Sequence, residues 1–133
     1  MLTVEKIGGT SMSQFKDVLQ NVIIGKRKPE DLYNRIFVVS AYNNVTNWLL
    51  EHKKTGEPGV YVQFLENSDY SIGLDSLCQR LLLINKGFEE IGLDQAEARE
   101  FITFRIKQAK TMLHSLNKVM ASGYVNADDI CLA

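Results

Sequence analysis

The residues most able to do chemistry stand together near the start of the chain, at Lys6, Gly8, Gly9, Thr10 and Ser11. Two adjacent glycines leave backbone N–H groups uncovered, so a ligand can come into contact with them. Those amides, the two hydroxyls and the start of a following helix would converge on a spot that favours an anion, above all phosphate. Lys6 adds a compact positive charge there. The pattern predicts a phosphate-binding turn, although a strand that ends in Gly-Gly can equally be a plain tight turn.

A second polar segment follows a second apolar stretch. Ile36–Val39 is an unbroken run of β-prone residues, and Ser40, Ala41 and Thr46 come after it. If the two apolar stretches are parallel strands, ligands collect beyond their carboxyl ends, where this segment would lie beside the glycine turn. An Asn-rich turn with ordinary helix caps would have the same composition, and the spacing alone does not exclude it.

The elements that must position both segments form a βαβ unit. Strands are predicted over Leu2–Ile7 and Ile36–Val39, and apolar residues at helical spacing predict a helix over Ser13–Ile24 between them. Ser11 or Ser13 can cap the start of that helix. The crossover should be right-handed, and the continuous apolar run of the second strand predicts a sheet that is covered on both faces.

The rest of the chain is predicted to be mainly helical. A helix is expected from Trp48 to about Lys54, with Glu51–Lys54 as its solvated end, and Val60–Leu65 can be either a helical turn or an extended piece. Two long amphipathic helices are predicted next, from Asp69 or Ser71 to Gly92 and from Asp94 to about Ala121, and Ala127–Ala133 opens a further element. Asp94 and Glu97 have the spacing of a capping box at the start of the second long helix.

The bulk properties exclude several classes of protein. The 133 residues are enough for one modest domain, and 45% hydrophobic with 23% charged residues is typical of a globular chain. With a net charge of −1, the chain lacks the excess of positive charge that is typical of proteins that bind nucleic acids or anionic membranes. The amino terminus lacks the apolar core of a signal peptide, and no apolar run approaches the roughly 18–20 residues that span a bilayer. We therefore expect a soluble cytoplasmic protein with neither nucleic acid nor membrane as partner.

The other reactive side chains have ordinary structural interpretations. Cys78 and Cys131 are far apart and lack metal-ligand spacing, which predicts buried free thiols. His52 and His114 stand without a carboxylate at ligand spacing, so surface or core-edge positions are predicted, and no metal site is expected. Four large apolar residues of the second long helix are predicted to be core rather than a cofactor site: Phe101, Phe104, Met112 and Met120.

Three motifs together resemble the amino-terminal part of aspartate kinases: Lys6-Ile7-Gly8-Gly9-Thr10-Ser11, Val38-Val39-Ser40-Ala41 and Val45-Thr46-Asn47. That family opens with Lys-Phe-Gly-Gly-Thr-Ser and has a second strand ending in Val-Ser-Ala, with Gly-Val/Ile-Thr-Asn shortly after. The resemblance is specific over residues 4–50 and loose over the helical remainder. Val4–Ile7 and Arg35–Tyr42 also resemble the branch associated with ectoine synthesis.

The resemblance implies an α/β fold, the three-layer αβα sandwich of amino-acid kinases. Residues 1–133 would be a partial domain, with two parallel strands and a helix-rich remainder that bind substrate and phosphate. The implied reaction transfers the γ-phosphoryl group of ATP, bound with Mg²⁺, to the side-chain carboxylate of L-aspartate, the first step of aspartate-family amino-acid biosynthesis. No tightly bound cofactor is implied, and the complete enzyme is expected to be a homo-oligomer.

The resemblance also implies a role for each site residue. Lys6 matches the family lysine that contacts the transferring phosphate, and would be the catalytic residue. Gly8, Gly9, Thr10 and Ser11 match the phosphate loop, which with Lys6 would bind ATP. Ser40, Ala41 and Thr46 match positions that line the aspartate pocket, with Thr46 as the expected direct hydrogen-bonding partner.

The chain departs from the family pattern at two positions and in length. Ile7 replaces the usual Phe, which should leave the strand intact, and Asn44 replaces a Gly, at a place where Asn tolerates the left-handed conformation. The family's Gly-Glu segment, its nucleotide-binding half and its ACT domains are expected to be absent, so the chain alone should not phosphorylate aspartate. Two alternatives stay open: another amino-acid kinase (glutamate, acetylglutamate or uridylate type), or a non-catalytic helical interaction module formed by residues 68–121.

Overall fold

The sheet consists of two parallel strands. A computed structural model of the chain describes residues 1–131. In it, β1 (Thr3–Ile7) pairs in parallel with β2 (Arg35–Val39), in a register that places Thr3 beside Arg35 and Ile7 beside Val39. The Ser40 amide continues the ladder by donating to the Ile7 carbonyl at 3.0 Å. The predicted parallel pair is therefore confirmed, and Ile7 leaves the strand intact.

The helical crossover between the strands begins earlier than the sequence predicted. Helix α1 (Gly9–Met12) starts directly at the glycine turn, and α2 (Phe15–Val18) continues into a π-helical stretch, Leu19–Ile24. The prediction of one helix starting at Ser13, capped by Ser11 or Ser13, is wrong. The N-cap is Gly8, without a side-chain bond, and the Ser13 hydroxyl instead donates to the Thr10 carbonyl at 2.6 Å. A short α3 (Pro29–Leu32) precedes β2.

The segment after β2 forms a shorter helix than expected. Helix α4 spans Val45–Leu49, and residues beyond it turn into an antiparallel bridge between Glu51 and Pro58. The predicted helix to Lys54 is therefore wrong, and so is the interpretation of residues 51–54 as a helix end. The half-buried His52 ring supplies the physical reason, because its Nδ1 accepts from the backbone amides of Lys54 and Thr55 at 3.3 and 3.2 Å and so favours a loop.

A hydrophobic core lies among three helices, α5 (Val60–Leu65), α6 (Tyr70–Lys86) and α7 (Gln95–Ala121). Val60, Leu74 and Leu77 form its buried centre, and half-buried residues such as Ile106 and Leu113 of α7 pack against them. A 3₁₀ turn (Glu89–Ile91) ending at Gly92 joins α6 to α7. A final helix, α8 (Ala127–Cys131), follows α7.

Local helix signals in this region were predicted in part. The Asp94 carboxylate accepts from the amides of Ala96 and Glu97, both at 3.0 Å, which confirms it as the N-cap of α7. The first long helix ends at Lys86 rather than Gly92, because the chain leaves the helix at Gly87 and makes the separate 3₁₀ turn. Cys78 is a buried free thiol as predicted, and the side chain of Cys131 lies outside the described residues.

Two burial predictions are wrong for the described part of the chain. One sheet face is uncovered, since Val4 is 68%, Ile36 48% and Val38 51% exposed. The reason is that residues 1–131 supply packing elements for the opposite face alone. Of the four α7 residues predicted to be core, Met120 is half-buried and three are exposed: Phe101, Phe104 and Met112. Those three lie to one side of the stripe with which α7 contacts α6, where no described element packs over them.

Taken together, the described residues form a small parallel sheet in a helix-rich chain. This architecture is compatible with part of an α/β fold. Among residues 1–131, none of the helices has the length and apolarity needed to cross a membrane.

Candidate phosphate and substrate site

The glycine turn presents free backbone donors at the carboxyl end of β1. Gly8 is extended, with φ −78° and ψ 173°, and the following residues enter α1. The Gly8 carbonyl accepts from the Met12 amide at 3.0 Å, whereas the first-turn amides of Gly9, Thr10 and Ser11 have no partner within residues 1–131. The hydroxyl-bearing residues Thr10 and Ser11 are exposed. The turn therefore has the donors that an oxyanion needs.

The two glycines are not required by the backbone conformation. Neither Gly8 nor Gly9 has a positive φ. A Cβ added to Gly8 would meet no atom within 4 Å, and one added to Gly9 would lie 3.8 Å from the Ser40 hydroxyl, an ordinary contact. Gly59 is the opposite case, because a Cβ there would come within 2.6–2.8 Å of three carbonyl oxygens. The fold therefore does not require a glycine at either position, and at Gly8 the missing side chain leaves open space beside the backbone.

Lys6 provides a cation that the fold does not use. Its side chain is exposed, and within residues 1–131 its ammonium has neither a hydrogen bond nor an ion pair. Strand alternation places it on the same sheet face as Val4, whereas the neighbouring Glu5 is paired with Arg35. The ammonium is thus available to an anion supplied from outside.

The second predicted segment reaches the site at one end. Parallel pairing brings Ser40 next to the glycine turn: its amide bonds to the Ile7 carbonyl, and its hydroxyl would lie 3.8 Å from a Cβ added to Gly9. Ala41 follows it and is exposed. Thr46 lies exposed in the first turn of α4, and no hydrogen bond within the described chain joins it to the glycine turn. The structure therefore brings Ser40 and the glycines together, and the role of Thr46 stays a prediction.

Asn44 adopts the conformation that the sequence predicted for it. Its φ is +65°, in the left-handed region, where Asn is tolerated better than most residues. It is also the N-cap position of α4, and its side-chain oxygen accepts from the Asn47 amide group at 3.3 Å. The turn between β2 and α4 thus forms without the usual glycine.

A cluster of three aromatic rings behind the site was not found from the sequence. Tyr42 lies 6.0 Å from Phe15 and 5.9 Å from Phe88, and the latter two rings are 5.8 Å apart. Burial raises the pKa of the Tyr42 phenol, which keeps it neutral. The three rings come from segments that are far apart in the sequence. No local sequence pattern links these segments, so the sequence did not predict that the rings would meet.

Other polar and apolar features lie away from the glycine turn. Arg35 at the amino end of β2 makes a bidentate ion pair with Glu5 in the middle of β1, stacks over Phe37 and holds the pKa of the Glu5 carboxyl below its ordinary value. A mostly apolar groove of about 880 Å³ lies between Tyr42 and the Phe101 side of α7. Within residues 1–131, no three His, Cys, Asp or Glu side chains are grouped so that they could hold a metal ion.

The comparison with known proteins agrees with the motifs. The chain is 49% identical over 127 residues to the aspartate kinase Ask_Ect of Stutzerimonas stutzeri strain A1501. This chain is a relative of aspartate kinases. The resemblance seen in the motifs, including that to the ectoine-associated branch, is thereby confirmed. The match covers 93% of the chain but 27% of the kinase, so the chain spans little more than a quarter of that relative's length. No family model and no solved structure matches the chain.

Proposed function

We propose that the chain is the substrate- and phosphate-binding front part of an aspartate kinase. The reaction is the transfer of the γ-phosphoryl group of ATP to the side-chain carboxylate of L-aspartate, which gives an acyl phosphate. The 49% identity to a kinase of that name supports the assignment. The observation that carries the proposal is that the two motifs meet at the carboxyl ends of β1 and β2, where the Gly9 backbone lies close to the Ser40 hydroxyl.

In this proposal the glycine turn binds the moving phosphate. The free amides of Gly9, Thr10 and Ser11 donate to its oxygens, and a charge-assisted bond of this kind contributes about 1.5–3 kcal/mol. Lys6 neutralises charge on the transferring group, since phosphoryl transfer depends mainly on positioning and electrostatic stabilisation. Because the fold leaves Lys6 unpaired within residues 1–131, no ion pair has to be broken before it binds phosphate.

The segment after β2 binds the acceptor in the same proposal. Ser40 and Ala41 lie beside the glycine turn, and Thr46 donates to a carboxylate of aspartate from the start of α4. Mg²⁺ enters with ATP and is held chiefly by the phosphate oxygens. The absence of a hydrogen bond between Thr46 and other described side chains leaves its hydroxyl available for the substrate.

The chain occupies part of a larger amino-acid kinase sandwich in this proposal. The uncovered sheet face, with Val4, Ile36 and Val38 each about half exposed or more, supports a further layer over it. The exposed aromatics Phe101 and Phe104 support additional packing against α7. We accordingly expect the 133 residues alone to show no aspartate-dependent ATP turnover, and the complete kinase to be a homo-oligomer.

A chimera tests the proposal directly. This chain replaces the matching segment of the Stutzerimonas stutzeri kinase, and the acyl phosphate is trapped with hydroxylamine, which reports phosphorylation of a carboxylate and not mere ATP hydrolysis. We expect aspartate-dependent hydroxamate formation. A chimera that melts cooperatively but forms none, while the unmodified kinase is active, would contradict the proposal.

A substrate panel separates this proposal from other amino-acid kinases. The same chimera is given glutamate, N-acetylglutamate and uridylate in place of aspartate, with ADP release as the readout. Preference for any of these over aspartate would reassign the acceptor. Light scattering on the 133-residue chain addresses the interaction-module alternative, because that alternative requires self-association or a partner on α7.

A further inference from the structure

Tyr42 joins the acceptor segment to the interior of the molecule. Residues 40–46 are mostly exposed, and Tyr42 is the aromatic side chain of this stretch that turns inward. It contacts Phe15, which follows the glycine turn on α2, and Phe88, which is 8% exposed and lies between α6 and the 3₁₀ turn. Three segments far apart in sequence are therefore held together by three rings.

The backbone hydrogen bonds of this stretch are local except at its start, and α4 beyond it is held by Trp48, which packs against the core of Val60, Leu74 and Leu77. Ser40 bonds to Ile7, whereas Val45 bonds to the Tyr42 carbonyl at 3.2 Å and Trp48 to the Asn44 carbonyl at 2.9 Å. Between the sheet and α4, the ring of Tyr42 thus supplies a tertiary anchor. The glycine turn has separate anchors, because Ile7 and Met12 on either side of it are 7% and 6% exposed.

We infer that Tyr42 is a positioning residue that fixes the acceptor segment, with Ser40 and Thr46, relative to the glycine turn by packing between Phe15 and Phe88. The inference rests on the proposed function, since it concerns the geometry of the same site. The ring carries the effect: the phenol hydroxyl has no hydrogen bond within residues 1–131. Because the glycine turn is anchored independently, loss of the ring should disturb aspartate far more than ATP.

Steady-state kinetics on the chimera tests this. Tyr42→Leu should raise KM for aspartate about tenfold or more and lower kcat, since small misplacements of a reacting group are costly, while KM for ATP stays within about twofold. Tyr42→Phe should restore the parent values, and Phe88→Leu should shift KM for aspartate in the same direction. Phe64→Leu is the matched control, because Phe64 is a buried ring, 3% exposed, that pairs with Tyr70 elsewhere. It should lower the melting temperature without a selective change in KM for aspartate.

Hydrogen exchange on the 133-residue chain gives a second measurement that needs no activity. Tyr42→Leu should speed exchange at the Val45 and Trp48 amides while α7 keeps its protection. Unchanged exchange at those amides, or equal rises in both KM values, would overturn the inference. A parent chimera that melts cooperatively but is inactive, together with faster exchange in Tyr42→Leu, would instead refute the proposed function and leave the anchoring role in place.

Discussion

The substitution Gly8→Ala distinguishes an effect on stability from an effect on phosphate binding. The added methyl group would meet no atom within 4 Å, and φ −78° with ψ 173° is allowed for alanine. Alanine lowers the entropy of the unfolded chain but is a slightly poorer N-cap than glycine. These effects oppose each other, so the free energy of unfolding should change by less than about 1 kcal/mol.

The same methyl group would occupy the space through which phosphate approaches the free amides. Loss of one charge-assisted hydrogen bond costs about 1.5–3 kcal/mol, which corresponds to roughly 10- to 150-fold in kcat/KM for ATP. We expect Gly8→Ala in the chimera to lose activity by about this factor while its melting temperature stays near the parent value. The assay is hydroxamate formation at saturating aspartate with varied ATP, alongside thermal unfolding.

Gly59→Ala is the contrasting variant. Its methyl group would lie 2.6–2.8 Å from the carbonyl oxygens of Leu50, Trp48 and Asn47, so the backbone must move, at a cost of about 1–3 kcal/mol or more. It should lower the melting temperature clearly. Parent-like kcat/KM in Gly8→Ala would refute the reasoning about ligand space, and a loss of stability in Gly8→Ala as large as in Gly59→Ala would refute the reasoning about the fold.

Three further predictions concern charge and packing. Lys6→Ala in the chimera should lower kcat far more than it changes KM for ATP, and a kcat near the parent value would contradict its role; in the 133-residue chain it should leave the melting temperature unchanged, because the side chain is exposed and unpaired within residues 1–131. Glu5→Gln should destabilise the chain at neutral pH, and because the pKa of Glu5 is lowered in the folded state, the difference from the parent should shrink as pH falls from the ordinary glutamate value of about 4.3 through that lowered pKa. A pH-independent difference in the melting temperature would contradict this, and the exposed Glu66→Gln is the control. Leu74→Ala should cost about 2–5 kcal/mol in urea unfolding, since Leu74 is 2% exposed, whereas Leu83→Ala on the same helix, 72% exposed, should cost less than about 0.5 kcal/mol; similar losses would contradict the assignment of the core.

Features encoded by a few neighbouring residues were predicted from the sequence. Asp94 caps α7 because the amides that its carboxylate accepts from are only two and three residues further along the chain. Asn44 adopts a left-handed conformation because asparagine tolerates it better than most residues. The meeting of Ser40 with the glycine turn followed from parallel pairing, which aligns the carboxyl ends of β1 and β2. These features could be predicted without knowing which distant residues pack against them.

Burial and distant contacts could not be predicted in the same way. An apolar stripe shows that a surface can be covered, but not that residues 1–131 cover it, and so Phe101 and Met112 turned out to be exposed. The loop at His52 forms because the ring nitrogen accepts from backbone amides that would otherwise make helix hydrogen bonds. The spacing of apolar residues gives no information about this competition. The contact between Tyr42 and Phe88 joins residues 46 positions apart, which no local pattern encodes.

The uncovered sheet has a practical consequence for handling the protein. In a two-stranded sheet both strands are edge strands, and each has unpaired backbone N–H and C=O groups that a strand of another molecule can bind. Val4, Ile36 and Val38 also form an exposed apolar patch on one face of the sheet. The isolated chain should therefore aggregate by strand pairing at high concentration. Co-expression with the remaining three-quarters of a kinase such as the Stutzerimonas stutzeri relative should therefore raise its soluble yield, because the patch would then be sealed.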